Sequence, residues 1–288
     1  MSIEITTAMV QQYNATIQIL MQQKDSRLGG AVRVEPLVGE YGFFDQIGET
    51  AAVKRTGRHA DTPRVDTPHL RRRVQGYPYD WADLVDNFDT PRLLTDPTSK
   101  YVQNAVFALN RSKDAELAAA FNATAYGGKD GTTAYTFDTT NNKIVNGSTG
   151  LTLAKLLQAK TILDDNEVDE DGRFVVASAQ EINTDLLNTT EVKSSDYNTV
   201  KALAAGQINT FLGFTFIRYG KLTKSSTTVR ECFAWQKNSM LMAVNKDIIT
   251  DVGPRRDKNM AIQAYAGVMI GATRMDEKGI VQIDCYHA

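Results

Sequence analysis

The sequence predicts a mixed α+β fold. Three observations point there: a long amphipathic stretch from Asp96 to Gly128, a region after Leu151 in which helical and short apolar strand patterns alternate, and an alternating tail beginning near Met260. The 288 residues suffice for one large domain or two modest ones, and a 42% hydrophobic content is ordinary for a globular core.

At the N-terminus, Val10, Tyr13, Ile17 and Leu20 recur at helical spacing until Gly29 and Gly30 stop the pattern, which predicts an amphipathic arm over residues 6–24. The stretch "AVRVEPLVGEYGFFDQI" that follows reads as strands broken by Pro36 and Gly39. Between Gly48 and Gly76 there is no Phe, Trp or Tyr, and the large apolar residues are Val53, Val65, Leu70 and Val74 alone. A segment so poor in core formers projects and needs a partner to become ordered, because a two-stranded ribbon is marginal in water.

"DPTSKYVQNAVFALNRSKDAELAAAFNATAYGG" carries the strongest helical signal. Asp96 or Thr95 is placed to cap it, Pro97 suits its first turn, and Val102, Val106, Leu109, Leu117 and Phe121 form its stripe. Ended by Gly127 and Gly128, it would run about 25 to 30 residues, long for a globular domain. "TAYTFDTTNNKIVNG" reads as a hairpin turning at Asn141 and Asn142. A helix over Leu151–Leu163, an acidic loop, the strand "FVVA", the helix "AQEINTDLLN", a polar loop, two short strand candidates in "VKALAAGQINTFLGFTFIRYG" and the strand "CFAWQ" make a compact unit up to about Pro254. The tail predicts two strands turning at Glu277 to Gly279.

Composition narrows function. Lys plus Arg number 32 against 34 Asp plus Glu, for a net charge of -2, which is not the balance of a general nucleic-acid coat. Cys232 and Cys285 belong to no CxxC or Cys/His cluster, so they read as reduced, buried thiols. The N-terminus lacks a cationic start and no apolar run approaches the ~20 residues of a membrane span, so a cytoplasmically folded chain without membrane partners is expected. "DDNEVDEDG" imitates the start of a calcium loop, but counting from Glu167 puts Ser178 where the bidentate Glu belongs; it reads as a solvated acidic loop. No phosphate-binding glycine motif, nucleophile elbow or zinc-protease motif is present, and neither catalytic, cofactor nor metal residues are assigned.

The remaining feature is basic. Lys54, Arg55, Arg58, Arg64, Arg71, Arg72 and Arg73 face only Asp61 and Asp66, seven positive charges against two. Aromatics for base stacking appear only after Gly76, so a protein contact is the better reading and salt-dependent nucleic-acid binding the alternative.

Taken in order, the parts resemble the tailed-bacteriophage major capsid protein of the Hong Kong 97 fold. Its most specific piece is "LTLAKLLQAKTILDDNEVDEDGRFVVASAQEINTDLL" with "AAGQINTFLGFTFIRYGKL", similar to the helix, acidic turn, strand, helix and strand pair of that family's axial domain. The resemblance implies an N-terminal arm over residues 1–32, an extended loop over 33–79, a peripheral domain with a spine helix over 80–150, an axial domain over 151–253 and closing peripheral strands over 254–288. It further implies self-assembly into pentamers and hexamers of an icosahedral shell around double-stranded DNA held by non-specific contact, no enzymatic activity, and a virion location after assembly in the host cytoplasm. Portal and cement proteins are implied partners. Residues 1–32 are too short for a fused scaffolding segment, so a separate scaffolding protein is expected. The resemblance also assigns the seven cations to contact with acidic surface on a neighbouring subunit. Encapsulin-type compartments share this fold and are the nearest competing reading.

Overall fold

A computed structural model describes residues 20–59, 61–85, 98–186 and 210–287. In chain order the strands and helices are β1 (Arg33–Pro36), β2 (Tyr41–Ile47), β3 (His69–Gln75), β4 (Tyr77–Val85), α1 (Thr98–Ala120), β5 (Ala125–Gly127), β6 (Thr133–Tyr135) and β7 (Lys143–Ile144). There follow α2 (Leu153–Asp165), β8 (Arg173–Ala177), a π-helical turn (Glu181–Leu186), β9 (Thr210–Phe211), β10 (Phe214–Arg218), β11 (Lys224–Ser226), β12 (Val229–Gln236), β13 (Met240–Arg255), β14 (Ala261–Arg274) and β15 (Ile280–Tyr286).

Three sheets collect these strands. One has the order β1-β13-β14-β4, one β7-β15-β12-β8-β10-β9 with β11 beside β12, and one β2-β3-β5-β6. The chain divides into two compact units: residues 1–25, 78–112 and 246–268 form one, and 26–77, 113–245 and 269–288 the other.

In the larger unit the main core lies on the central sheet. Strand β12 is buried along nearly its whole length, which is why "VRECFAWQ" shows no alternation: β8 and β15 flank it and side chains cover both faces. Phe121, just past α1, stacks on Phe233 at 4.8 Å between ring centres and meets Trp235 at 4.8 Å. The Trp235 indole N–H donates to the Ala31 carbonyl at 2.9 Å, so the strand that leads into the loop is anchored on this core. Thr152 caps α2 by accepting from the Lys155 backbone N–H, and Leu156, Ala159 and Leu163 line its buried face.

Several expectations are corrected. Helix α1 ends at Ala120, not at Gly127: the buried Arg274 guanidinium takes the carbonyls of Phe121 and Ala123, and Ala125–Gly127 leaves to pair with β3. The turn at Asn141 and Asn142 is present, held by Asp138, whose carboxylate accepts the Thr140 and Asn141 N–H groups. Its flanks, however, do not pair with each other; β6 joins β5 and β7 joins β15. Strands β14 and β15 likewise enter different sheets on either side of the expected turn. The segment after "FVVA" opens as a π-helical turn over Glu181–Leu186 instead of an α-helix. The hairpin of β9 and β10 matches its expectation, with Leu212 and Gly213 at positive φ in a two-residue turn. The arm pattern at Val10, Tyr13 and Ile17, the helix start at Thr95 to Pro97 and the segment 187–209 lie outside the described residues. The acidic loop folds onto Arg173, which ion-pairs with Asp164 and donates to the carbonyls of Val168 and Asp169.

Candidate functional site

Strands β2 and β3 pair antiparallel from Tyr41↔Gln75 to Ile47↔His69, and the Gly48 N–H donates to the Pro68 carbonyl at 2.8 Å where they open. Beyond that bond the described residues of 49–67 have no regular structure and are exposed. Val53 is 59% and Val65 44% exposed, so this tip buries almost nothing of its own. Lys54, Arg55, Arg58 and Arg64 stand on it, all exposed. Arg55 donates within the tip to the Gly57 and Arg58 carbonyls, and Arg64 pairs with Asp66 at 3.0 Å.

The three consecutive arginines behave differently, because side chains on a strand alternate between faces. Arg71 and Arg73 share the outer face. The Arg71 Nε donates to Asp45 Oδ1 at 2.6 Å and holds that carboxyl below its ordinary range, while Arg73 lies over Tyr41 at 4.9 Å and Tyr126 at 5.2 Å. Arg72 turns inward. It is 7% exposed, lies 3.8 Å over the Tyr135 ring, donates from Nε to the Met275 carbonyl at 3.1 Å, and has NH2 3.6 Å from Glu277 Oε1. Glu277 stands 3.7 Å from a second buried guanidinium, Arg274, which also donates to the Tyr135 carbonyl. The expected assignment of "HLRRRV" to a neighbour therefore changes for Arg72: its charge is spent inside its own chain. Alternation was the sequence signal that separates it from Arg71 and Arg73.

Close backbone approach completes this root. Strand β5 joins β3 at Arg72↔Gly127, and a Cβ on Gly127 would lie 2.1 Å from the Arg71 carbonyl oxygen, so only glycine fits. Below the root, Leu37, Val74, Leu241, Ala243 and Met275 form a small second core with Phe44. Sequence reading missed Glu277 and Arg274; charged residues inside "GATRMDEKG", next to an apolar strand, were the available signal. It also missed Asp114, fully buried on the apolar stripe of α1, which accepts from Ser26 Oγ at 2.6 Å and from the Arg27 and Leu28 N–H groups at 2.9 and 3.0 Å.

The loop is rooted by buried contacts at β3 and exposed at its cationic tip. The chain belongs to the phage capsid protein family, whose model matches residues 5–287. It is a structural component of the virion shell, and the family match settles the choice between phage shell and encapsulin-type compartment. The fold is shared with solved phage capsids. The capsid of Ralstonia phage GP4 superposes with a TM-score of 0.75 at 11% identity over 97% of this chain and 96% of that one. The capsid of Cyanophage P-SCSP1u gives 0.73 at 14% identity over 98% and 94%. That of Helicobacter pylori bacteriophage KHP30 gives 0.73 at 9% identity over 99% and 97%. No curated protein matches the sequence.

Proposed function

We propose that this chain is the major capsid protein of a tailed phage, assembling as pentamers and hexamers of an icosahedral head, and that its exposed tip reaches an adjacent copy. The observation that carries the contact is the tip itself, with Lys54, Arg55, Arg58 and Arg64 on a segment that has no burial of its own. Exposed ion pairs contribute only about 0 to 1 kcal/mol each, so these cations select and orient a neighbour while apolar burial supplies most of the affinity. Arg71 and Arg73 remain candidates for the same contact through their outer face. A separate scaffolding protein, portal and cement proteins, and non-specific contact with packaged double-stranded DNA complete the reading.

The test is electron microscopy and size-exclusion chromatography of wild type and a variant carrying Lys54→Glu, Arg55→Glu, Arg58→Glu and Arg64→Glu, each with and without a scaffolding partner. Shells or capsomer rings from wild type, and folded but unassembled chains from the variant, are expected. Normal shells from the variant would refute the tip contact. Wild-type chains that stay monomeric but bind DNA with a steep salt dependence would refute the shell reading itself.

A further inference from the structure

The outer face of the sheet formed by β2, β3 and β5 carries aromatic rings and arginines in a fixed arrangement. Residues opposite one another on antiparallel strands share a face, so Phe43 on β2, Arg73 on β3 and Tyr126 on β5 form one row, with Tyr41 and Asp45 beside it. Tyr41, Phe43 and Tyr126 are 39, 43 and 42% exposed, a concentration of aromatic surface that marks an interaction face. The Arg73 guanidinium lies over both tyrosine rings, and among the described residues no group accepts a hydrogen bond from it. The turn between β5 and β6 packs onto the same side chains: a Cβ on Gly131 would come within 2.7 Å of Arg73 Cδ and 2.8 Å of the Phe43 ring. A guanidinium oriented in this way, with its N–H donors unused and Tyr and Phe around it, suits a carboxylate at the centre of a protein contact. Beside it Asp45, His69, Arg71 and Lys129 border an open hollow of about 560 Å³.

We propose that this face receives the acidic loop 167–171 of a second copy of the chain, with Arg73 taking one of its carboxylates; the proposal rests on the shell reading above. The loop presents Glu167, Asp169, Glu170 and Asp171, all exposed, and among the described residues none of these four carboxylates has an ion-pair partner. It is also held in shape. The buried Arg173 donates to the Asp169 carbonyl at 2.9 Å, the Glu167 and Val168 N–H groups donate to the Asp164 and Leu163 carbonyls at 2.9 and 3.0 Å, and Gln236 Nε2 donates to the Asp171 carbonyl at 3.3 Å. Both sides are ordered before they meet, so little freedom is lost on contact. The charges are complementary, because Arg71, Arg73 and Lys129 outnumber Asp45 on the face. The tip is a poorer receptor, since Arg55 donates to the Gly57 and Arg58 carbonyls and Arg64 pairs with Asp66. Packaged DNA fits less well, since Arg71 and Arg73 already lie over the rings that would stack on bases. Loop and face are different surfaces of one chain, so the contact is head-to-tail, the kind that closes into rings.

Cross-linking tests the contact directly. Chains carrying Lys129→Cys and chains carrying Glu170→Cys are co-assembled and treated with a short bis-maleimide; both positions are exposed, whereas Cys232 and Cys285 are buried. A cross-linked dimer that requires both variants in one shell is expected. Shells without that dimer, or a Glu170→Cys chain that links to Arg58→Cys instead, would overturn the docking and leave the shell reading intact. Wild-type chains that form no shell would remove both. Charge reversal gives a second readout. Arg73→Glu with Lys129→Glu sets like charges against each other and should lower capsomer yield at least about tenfold, and adding Glu167→Lys and Glu170→Lys should restore it to within about threefold. A reversed face that assembles as wild type does, that the reversed loop does not rescue, or that loses only DNA retention in otherwise normal shells overturns the proposal. The cross-link decides the matter should the reversed chains not fold.

Discussion

Replacing Glu277 by Gln removes the one carboxylate between two buried guanidiniums. Its Oε1 lies 3.6 Å from Arg72 NH2 and 3.7 Å from Arg274 NH2, and at an effective dielectric near 20 each gross attraction is about 4 to 5 kcal/mol. The net loss is smaller, because the Glu277 side chain is 25% exposed and water replaces part of the field. Breaking a buried pair by deleting one partner costs about 3 to 5 kcal/mol, so roughly 3 kcal/mol is expected here. Arg72→Met should cost less, about 2 kcal/mol. It gives up the stacking on Tyr135, but the Met275 carbonyl keeps a donor in Gln46 Nε2 at 2.8 Å, and Arg274 loses a repulsive neighbour. The double variant should therefore cost at least about 1 kcal/mol less than the two single costs added together. Urea unfolding of the unassembled chain, followed by tryptophan fluorescence, reads all three. A Glu277→Gln cost below about 1 kcal/mol, or costs that add within about 0.5 kcal/mol, would refute the account of Arg72 as an internal residue.

Other outcomes follow from the same geometry. Gly127→Ala should separate β5 from β3 and destabilise the chain by about 2 to 4 kcal/mol, seen as lost exchange protection at Arg72 and Arg73, since the new Cβ meets backbone and not a movable side chain. Asp114→Ala should cost about 2 to 4 kcal/mol and expose the Arg27 and Leu28 amides to exchange, because it strands buried donors. Asp185→Asn should stabilise the chain at neutral pH. The Asp185 carboxyl is raised by burial, so its folded form keeps a proton that the unfolded chain releases near pH 4; stability then falls as pH rises from there through the raised value. In thermal melts from pH 4 upward, the wild-type decline should be smaller in Asp185→Asn, what remains coming from groups such as Glu231 that burial also raises, and a decline of equal size in both would contradict it.

The elements that local pattern specifies were readable in advance. The stripe of Val102, Val106, Leu109 and Leu117 marks a helix wherever it packs, and the turn residues Leu212 and Gly213 bring β9 and β10 together without help from distant segments. Pairing between distant segments was not readable. "TAYTF" and "KIV" look like hairpin mates because they are adjacent, yet each finds a better partner far along the chain, β5 and β15. The helix stop was misplaced for the same reason: the group that takes the carbonyls just past its end, Arg274, lies more than 150 residues away.

By itself the sequence determined the order of parts, the absence of core formers between Gly48 and Gly76 and the concentration of positive charge there, all properties of composition and short-range period. Only the tertiary structure decided how that charge divides. A two-residue strand period sends Arg72 inward to Tyr135 and Glu277 and leaves Arg71 and Arg73 outside, while Lys54, Arg55, Arg58 and Arg64 stay exposed. It also brought Glu181, Arg230 and His287 within contact from three separate stretches of the chain, a convergence that no local pattern records.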